Sequence, residues 1–367
     1  MAARHEPKPV NLALQGGGAH GAFTWGVLDR IFEDGRLRVE ALSGTSAGAM
    51  NAAVVAQGHL RGGPEGAREA LEAFWQAIAA AGQASPLKRS PFDMAVGKWS
   101  LDHSPAYLWL DLLQRLASPY DLNPLGLNPL EEVLESAVDF EAVRACRQLK
   151  VFIAATNVET GRARVFHRAE LTARHVMASA ALPQLFHAVE IEGQHYWDGG
   201  YVGNPALFPF YEHCDADDIV IVQINPIYRP GVPRSAREIM SRVNEISFNS
   251  ALMKELRAFH LMTGLMERHE IPEANRRAMH IHMIEARKRM RPLGASSKLN
   301  TEWAFLQHLR DIGREAAGRW LDACHEAIGE RSTLDIPAMF GAPSDPTLRP
   351  VHGLDGDDPE EDAAPAC

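Results

Sequence analysis

The sequence predicts an α/β fold built on a mostly parallel sheet whose faces are covered by helices. Three observations point there. Short apolar runs end abruptly in glycine, each is followed by apolar residues at helical spacing, and the order strand, loop, helix occurs twice within the first half-hundred residues.

Val10 to Gln15 (VNLALQ) is the first such run, a buried strand ending in Gly16-Gly17-Gly18. After Gly21, the residues Phe23, Val27, Leu28, Ile31 and Phe32 keep helical spacing, and Gly35 is placed to end that helix. Val39 to Ser43 reads as a second strand, which Gly44-Thr45-Ser46-Ala47-Gly48 turns into an alanine-rich helix. From Ser85 to Leu127 the pattern loosens: prolines recur, and Trp99, Tyr107, Trp109 and Tyr120 appear. There YLWLDLL is a helix with an apolar face, read as the packed core of an insertion, with a lid over an apolar substrate as the alternative.

Alternation then resumes. KVFIAATNV and ARVFHR read as strands, TARHVMASAAL as a helix, HAVEI with QHYWD as a strand pair, and DIVIVQI as a buried parallel strand. Arg234 to Glu270 is a long helix in which Ile239, Val243, Ile246, Leu252, Leu256, Phe259 and Met262 recur every three or four residues, the spacing of a core-facing stripe. Its methionines could instead line a pliable acyl pocket; plain core is the preferred reading. MHIHMIEA is a late strand, and Asn300 to Arg331 a late amphipathic helix expected to pack on the sheet. The last fifteen residues hold six acids and no base, which reads as a disordered acidic tail. The chain therefore divides into a core over 8–230 with an insertion around 85–128, a C-terminal helical extension over 231–340 packed on that core, and a tail over 353–367.

Composition narrows the function. With 37 Lys+Arg against 47 Asp+Glu the net charge is −10, which argues against a nucleic-acid binder. Six of those negatives lie after His352, leaving 37 − 41 = −4 for the rest, so the body is only mildly acidic. The run Arg276 to Arg291 carries six bases and one acid and is read as an exposed charged face, with contact to anionic lipid as the alternative. Four cysteines lie far apart, without the spacing of a zinc site or a disulfide framework, which suits a reducing compartment. No apolar run has the length of a signal peptide or a membrane span, so the expected location is cytoplasmic, with peripheral membrane contact.

Three motifs carry chemistry. Gly44-x-Ser46-x-Gly48 sits at a strand-to-helix turn, where small neighbours allow the sharp backbone that exposes a serine hydroxyl as a nucleophile. Gly16-Gly17-Gly18-Ala19-His20-Gly21 also joins a strand to a helix; successive glycine amides and a helix N-terminus suit a phosphate or an oxyanion. It satisfies the dinucleotide fingerprint, but the strand end that should supply a ribose-binding acid holds the serine turn instead. Asp198-Gly199-Gly200 follows HYW, and an aspartate at a strand end can take a serine proton directly.

Together, GGGAHGAFTWGVLDRI, GTSAGAMNAA, ATNVETG, SAALPQLF and DGGYVGNPA resemble the patatin-like phospholipases over roughly residues 10 to 226. The resemblance implies a three-layer α/β/α sandwich and a lipid acyl hydrolase with a Ser-Asp dyad. It makes Ser46 the nucleophile, Asp198 the general base and the amides of Gly16, Gly17 and Gly18 the oxyanion hole, supported by His20, Gly21, Gly44, Gly48, Gly199 and Gly200. It implies two-step acyl transfer on a lipid ester at a membrane or lipid surface, with no cofactor, no metal and no nucleic-acid partner. A protein activator is left open. The family usually has Arg or Lys where this chain has His20, which puts the dependence on pH in question. Two alternatives stand beside this reading. One is an esterase with a Ser-His-Asp triad drawing on His167, His175, His187 or His195; the other is a catalytically silent lipid-binding or interaction protein.

Overall fold

The computed structural model describes residues 6–269 and 277–340. The acidic tail expected over 353–367 lies outside them, as do Glu270 and Arg276. Eight strands form one sheet: β1 (Lys8–Leu14), β2 (Leu37–Gly44), β3 (Lys150–Asn157), β4 (Ala163–His167), β5 (Val189–Ile191), β6 (Gln194–Asp198), β7 (Asp218–Val222) and β8 (His280–Ile284). Their order is β5-β6-β3-β2-β1-β7-β8, with β4 also paired to β3. The stretch from β3 through β2, β1 and β7 to β8 is parallel, and β4, β5 and β6 add antiparallel pairs at the β3 end. Each strand coincides with a segment read from the sequence.

Because successive side chains of a strand face opposite ways, the sheet divides the core in two. Leu12, Leu14, Val220 and Val222 face a layer that includes α1 (Gly21–Asp34), α2 (Ala47–Gln83) and the helices Ala173–Ala180 and Trp303–Cys324. Ala13, Ile219 and Ile221 face the opposite layer, with Phe210, Leu252 and Leu256. This is the α/β/α sandwich. α1 ends as expected: Gly35 adopts φ 73°, and its N–H bonds the Ile31 carbonyl. α2 bends at Gly62-Gly63, ahead of Pro64.

The C-terminal third departs from the simple picture of a helical extension. It contributes β8 to the central sheet, in register from Asp218↔His280 to Val222↔Ile284. Its helix Trp303–Cys324 lies chiefly on α1 rather than on the sheet, because Gly26 and Gly313 let the two backbones approach where a side chain would collide with Arg310 and Phe23. Cys146 and Cys214 are free buried thiols.

Two expectations about apolar residues are corrected. The stripe of the long helix Ala236–Glu267 is only half core: Leu252 and Leu256 are buried, while Ile239, Met240, Val243 and Ile246 are exposed. The insertion is likewise not a packed core beyond its first part. Trp99 stacks on Phe305 and Arg89 pairs with Glu302, but the helix Pro105–Leu116 buries none of its residues. Trp109 is 61% exposed, Leu116 74% and Leu125 82%. Its short helices each carry proline in the first turn, and Ser90 and Ser118 cap two of them by side chain. Among the described residues no helix is long and apolar enough to cross a membrane.

Candidate active site

The site lies where β1 and β2 end and β6 runs into its glycines. Ser46 joins β2 to α2 with φ 54° and ψ −120°, a left-handed conformation that a non-glycine residue holds only when its surroundings enforce it. Enforcement comes from both sides. A side chain at Gly48 would strike the Leu14 carbonyl, so α2 is drawn tightly against β1. The Ser46 N–H donates to Ser179 Oγ at 2.9 Å, and Thr45 Oγ1 donates to the Gly203 carbonyl at 2.6 Å. The serine itself is half-buried.

Asp198 ends β6 opposite Ala155 of β3. Its N–H bonds the Ala181 carbonyl, its own carbonyl accepts from Thr156 Oγ1 at 2.7 Å, and Oδ1 accepts from the Gly200 N–H at 2.7 Å. The residue is 1% exposed. Burial raises its pKa from 3.8 to about 7, against the opposing pull of the Gly200 N–H, the Ser46 hydroxyl and the Lys298 charge. Oδ2 is buried and has no hydrogen-bond partner of good geometry, yet the Ser46 hydroxyl is near enough to favour the ionised carboxylate. Phe248, from the long helix, lies directly against Gly200 and stacks obliquely on Tyr201, so that helix walls the base.

The glycine loop differs from expectation at one position. The Gly16 N–H donates to Asn204 Oδ1 at 2.7 Å in a buried setting, so Gly16 is not an oxyanion donor. The Gly17 and Gly18 amides have no acceptor among the described residues and remain available. Gly18 holds φ 58° and faces the Lys298 carbonyl so closely that no side chain fits. The loop is braced from β7: Gln15 Oε1 accepts from the Ile224 and Asn225 N–H groups, and Asn225 Nδ2 donates to the Gly16 carbonyl at 2.8 Å. Gly21 packs against Ala47, where α1 meets α2.

His20 is buried, and burial first, then the nearby Lys298 charge, lowers its pKa to about 3. Ser297 Oγ donates to the Gly294 carbonyl, so it accepts from His20 Nε2–H at 2.8 Å. His20 is thus a neutral tether of the loop, not the partly protonated residue expected from its ordinary pKa.

The four histidines of the triad alternative are engaged elsewhere or exposed. His167 packs on Phe152 and His213, His175 bonds Thr172, His187 stacks on Tyr120, and His195 is on the surface. None of them bonds Ser46. Of the basic run, Arg277, Arg287 and Arg289 form ion pairs with Asp217, Glu285 and Glu315. Sequence reasoning missed Ser179, Asn225, Phe248 and Lys298. A run such as QINP after a strand marks a strand end at the site, but no local pattern singles out the lysine.

Residues 12–211 match the family model described as patatin-like phospholipase. Among curated proteins none matches significantly. Similar solved structures include VipD from Legionella pneumophila, at 13% identity over 84% of this chain and 67% of that one, with a TM-score of 0.35. Another is the type III effector protein ExoU, at 14% identity over 85% and 54%, with a TM-score of 0.30.

Proposed function

The family model covers more than half of the 367 residues, so the chain belongs to the patatin-like phospholipase family, and on that premise we propose a serine acyl hydrolase of the phospholipase A or lysophospholipase kind. The observation that carries the reading is Ser46 on a strained elbow beside Asp198, a carboxylate whose pKa burial raises to about 7. An aspartate with an ordinary pKa is a weak base toward a hydroxyl; one raised to about 7 is better matched to the task and still ionised in large part at neutral pH.

In this mechanism Asp198 takes the Ser46 proton as Oγ attacks the ester carbonyl. The new C–O bond places negative charge on the carbonyl oxygen, which the Gly17 and Gly18 amides receive. Collapse expels the alcohol, which takes up the proton from Asp198 and leaves an acyl-serine. Water, deprotonated by the same carboxylate, then attacks the acyl carbon; the bond to Ser46 Oγ breaks, Oγ takes the proton back from Asp198, and the fatty acid leaves. The exposed apolar arm around Trp109 and Leu116 supports a substrate held at a lipid surface.

A fluorophosphonate probe tests the nucleophile, and lipid analysis of phospholipid vesicles tests the substrate class. Labelling and fatty-acid release by wild type, both lost in Ser46→Ala, are expected. Equal labelling of the two proteins, or unchanged esters with wild type, overturns the reading.

A further inference from the structure

We infer that Lys298 is the positioning cation of this site: its ammonium, held by Asn225 against the glycine loop, supplies positive charge to the general base and to the oxyanion pocket together. The inference rests on the hydrolase reading and goes beyond it, because Lys298 lies outside the residues that match the family model.

The geometry begins with Asn225. Its Nδ2 donates to the Gly16 carbonyl at 2.8 Å and to Gln15 Oε1 at 3.2 Å, which fixes the amide and turns its oxygen toward the lysine. Lys298 Nζ donates to that oxygen at 2.6 Å. An ammonium has three N–H donors, and this bond uses one. The lysine also touches the loop by its own backbone, since its carbonyl is what fills the space beside Gly18. One residue is therefore joined to the glycine loop at both ends.

Charge balance then points at Asp198. The groups that face Lys298 electrostatically are Glu245, Asp198 and Arg229. Glu245 is already held by Arg229 at 2.6 Å and by Arg242 at 3.2 Å. Asp198 has an unpartnered buried oxygen, and the charged group acting on it is Lys298. His20, the loop's own titratable side chain, is neutral and brings no charge. Tyr201, also beside Asp198, is a phenol whose pKa is raised by burial first, so it too stays neutral. The side chain of Lys298 is half-buried by area, yet its ammonium is desolvated enough that burial is the main pull downward on its pKa. A buried cation and a buried carboxylate that lack other full partners stabilise each other's charged forms.

The decisive measurement is the pH profile of kcat/KM on a soluble short-chain ester, for wild type, Lys298→Met, Lys298→Gln and Lys298→Arg, with Ser46→Ala as the blank. Removing the charge should raise the pKa of Asp198, so the acid limb of both neutral variants is expected to move upward by about half a unit or more. Their kcat should fall ~10–100-fold, more than KM changes. Lys298→Arg should keep the wild-type midpoint. A slower neutral variant with an unshifted midpoint means that the lysine only packs, and overturns the assignment. So does a pair of neutral variants that fail to fold while Lys298→Arg folds. Wild-type turnover indistinguishable from Ser46→Ala overturns the hydrolase reading itself, and this inference with it.

Discussion

The two sides of this molecule that bear on lipid chemistry are built on opposite rules. Around the dyad nearly every polar group is committed. Ser43, Thr45, Thr156, Gln15, Asn204 and Asn225 bond across five segments; Asn204 Nδ2 and Asp198 Oδ2 are buried without a partner, the latter at the point where chemistry is expected. In the Pro105–Leu116 helix, the segment on to Leu127 and the first half of the long helix, apolar side chains face outward. The first region fixes atoms at the expense of buried charge. The second leaves apolar surface in water, which is favourable only if another apolar surface covers it in use. The two meet at the long helix, where Phe248 presses on Gly200 five residues beyond the exposed Val243. Such an arrangement separates holding the reacting ester from meeting the lipid, and substitutions should affect one without the other.

The largest effect is expected at the base. Asp198→Asn should lower kcat by ~10³–10⁴-fold. It should also stabilise the fold at alkaline pH. Since burial raises the folded pKa above 3.8 to about 7, the folded protein binds a proton that the unfolded chain has released. That contribution is fully present below about pH 4 and is lost as pH rises through about 7. A melting temperature at pH 8 above that of wild type, with the difference shrinking toward pH 5, is the expected result. A lower melting temperature at both values would mean that the carboxylate holds the site together rather than straining it. For the same reason the wild-type kcat/KM should rise with pH to a midpoint of about 7.

Next in size is Gly18→Ala, expected to cost ~10²-fold in kcat. The added carbon meets the Lys298 carbonyl at a residue with φ 58°, so the loop must shift and carry its free amides with it. An alanine variant of normal activity would remove the Gly18 amide from the mechanism.

These residues differ in how far the sequence announced them. The alternation of apolar runs and glycines specified all eight strands, because a strand's burial and a helix's start are local properties. Ser46 and Asp198 were legible for a similar reason: a sharp turn needs small neighbours, and those neighbours are adjacent in sequence. Gly16 was misassigned because its amide is taken by Asn204, a partner 188 residues away. Lys298 was invisible because what distinguishes it is Asn225 at its tip and Gly18 at its carbonyl, neither of them near it in sequence. Periodicity also predicted burial of Ile239 and Val243 that did not occur, since spacing defines a face but not what covers it.

The arm should respond in the opposite sense to the dyad. Trp109→Ser combined with Leu116→Ser is expected to lower fatty-acid release from vesicles ~10-fold, with kcat/KM on a soluble ester unchanged. Stability should move by no more than about 0.5 kcal/mol, as neither side chain is in the core. Equal losses on both substrates would join the two regions that the structure separates.

The smallest effect is expected from the basic run, and it decides between charge and apolar surface as the means of meeting lipid. Arg287 and Arg289 are bonded to Glu285 and Glu315, so each positive charge is largely offset where it stands. Both pairs are solvent-accessible and therefore weak, and removing the arginines should change stability and vesicle binding little. Arg287→Ala with Arg289→Ala is expected to bind anionic and neutral vesicles within ~2-fold of wild type, and raising the salt concentration should not change that result. If binding to anionic vesicles instead fell tenfold and wild-type binding were abolished by salt, attraction to charged head groups would be the main route to the lipid. The exposed apolar arm would then need a different occupant.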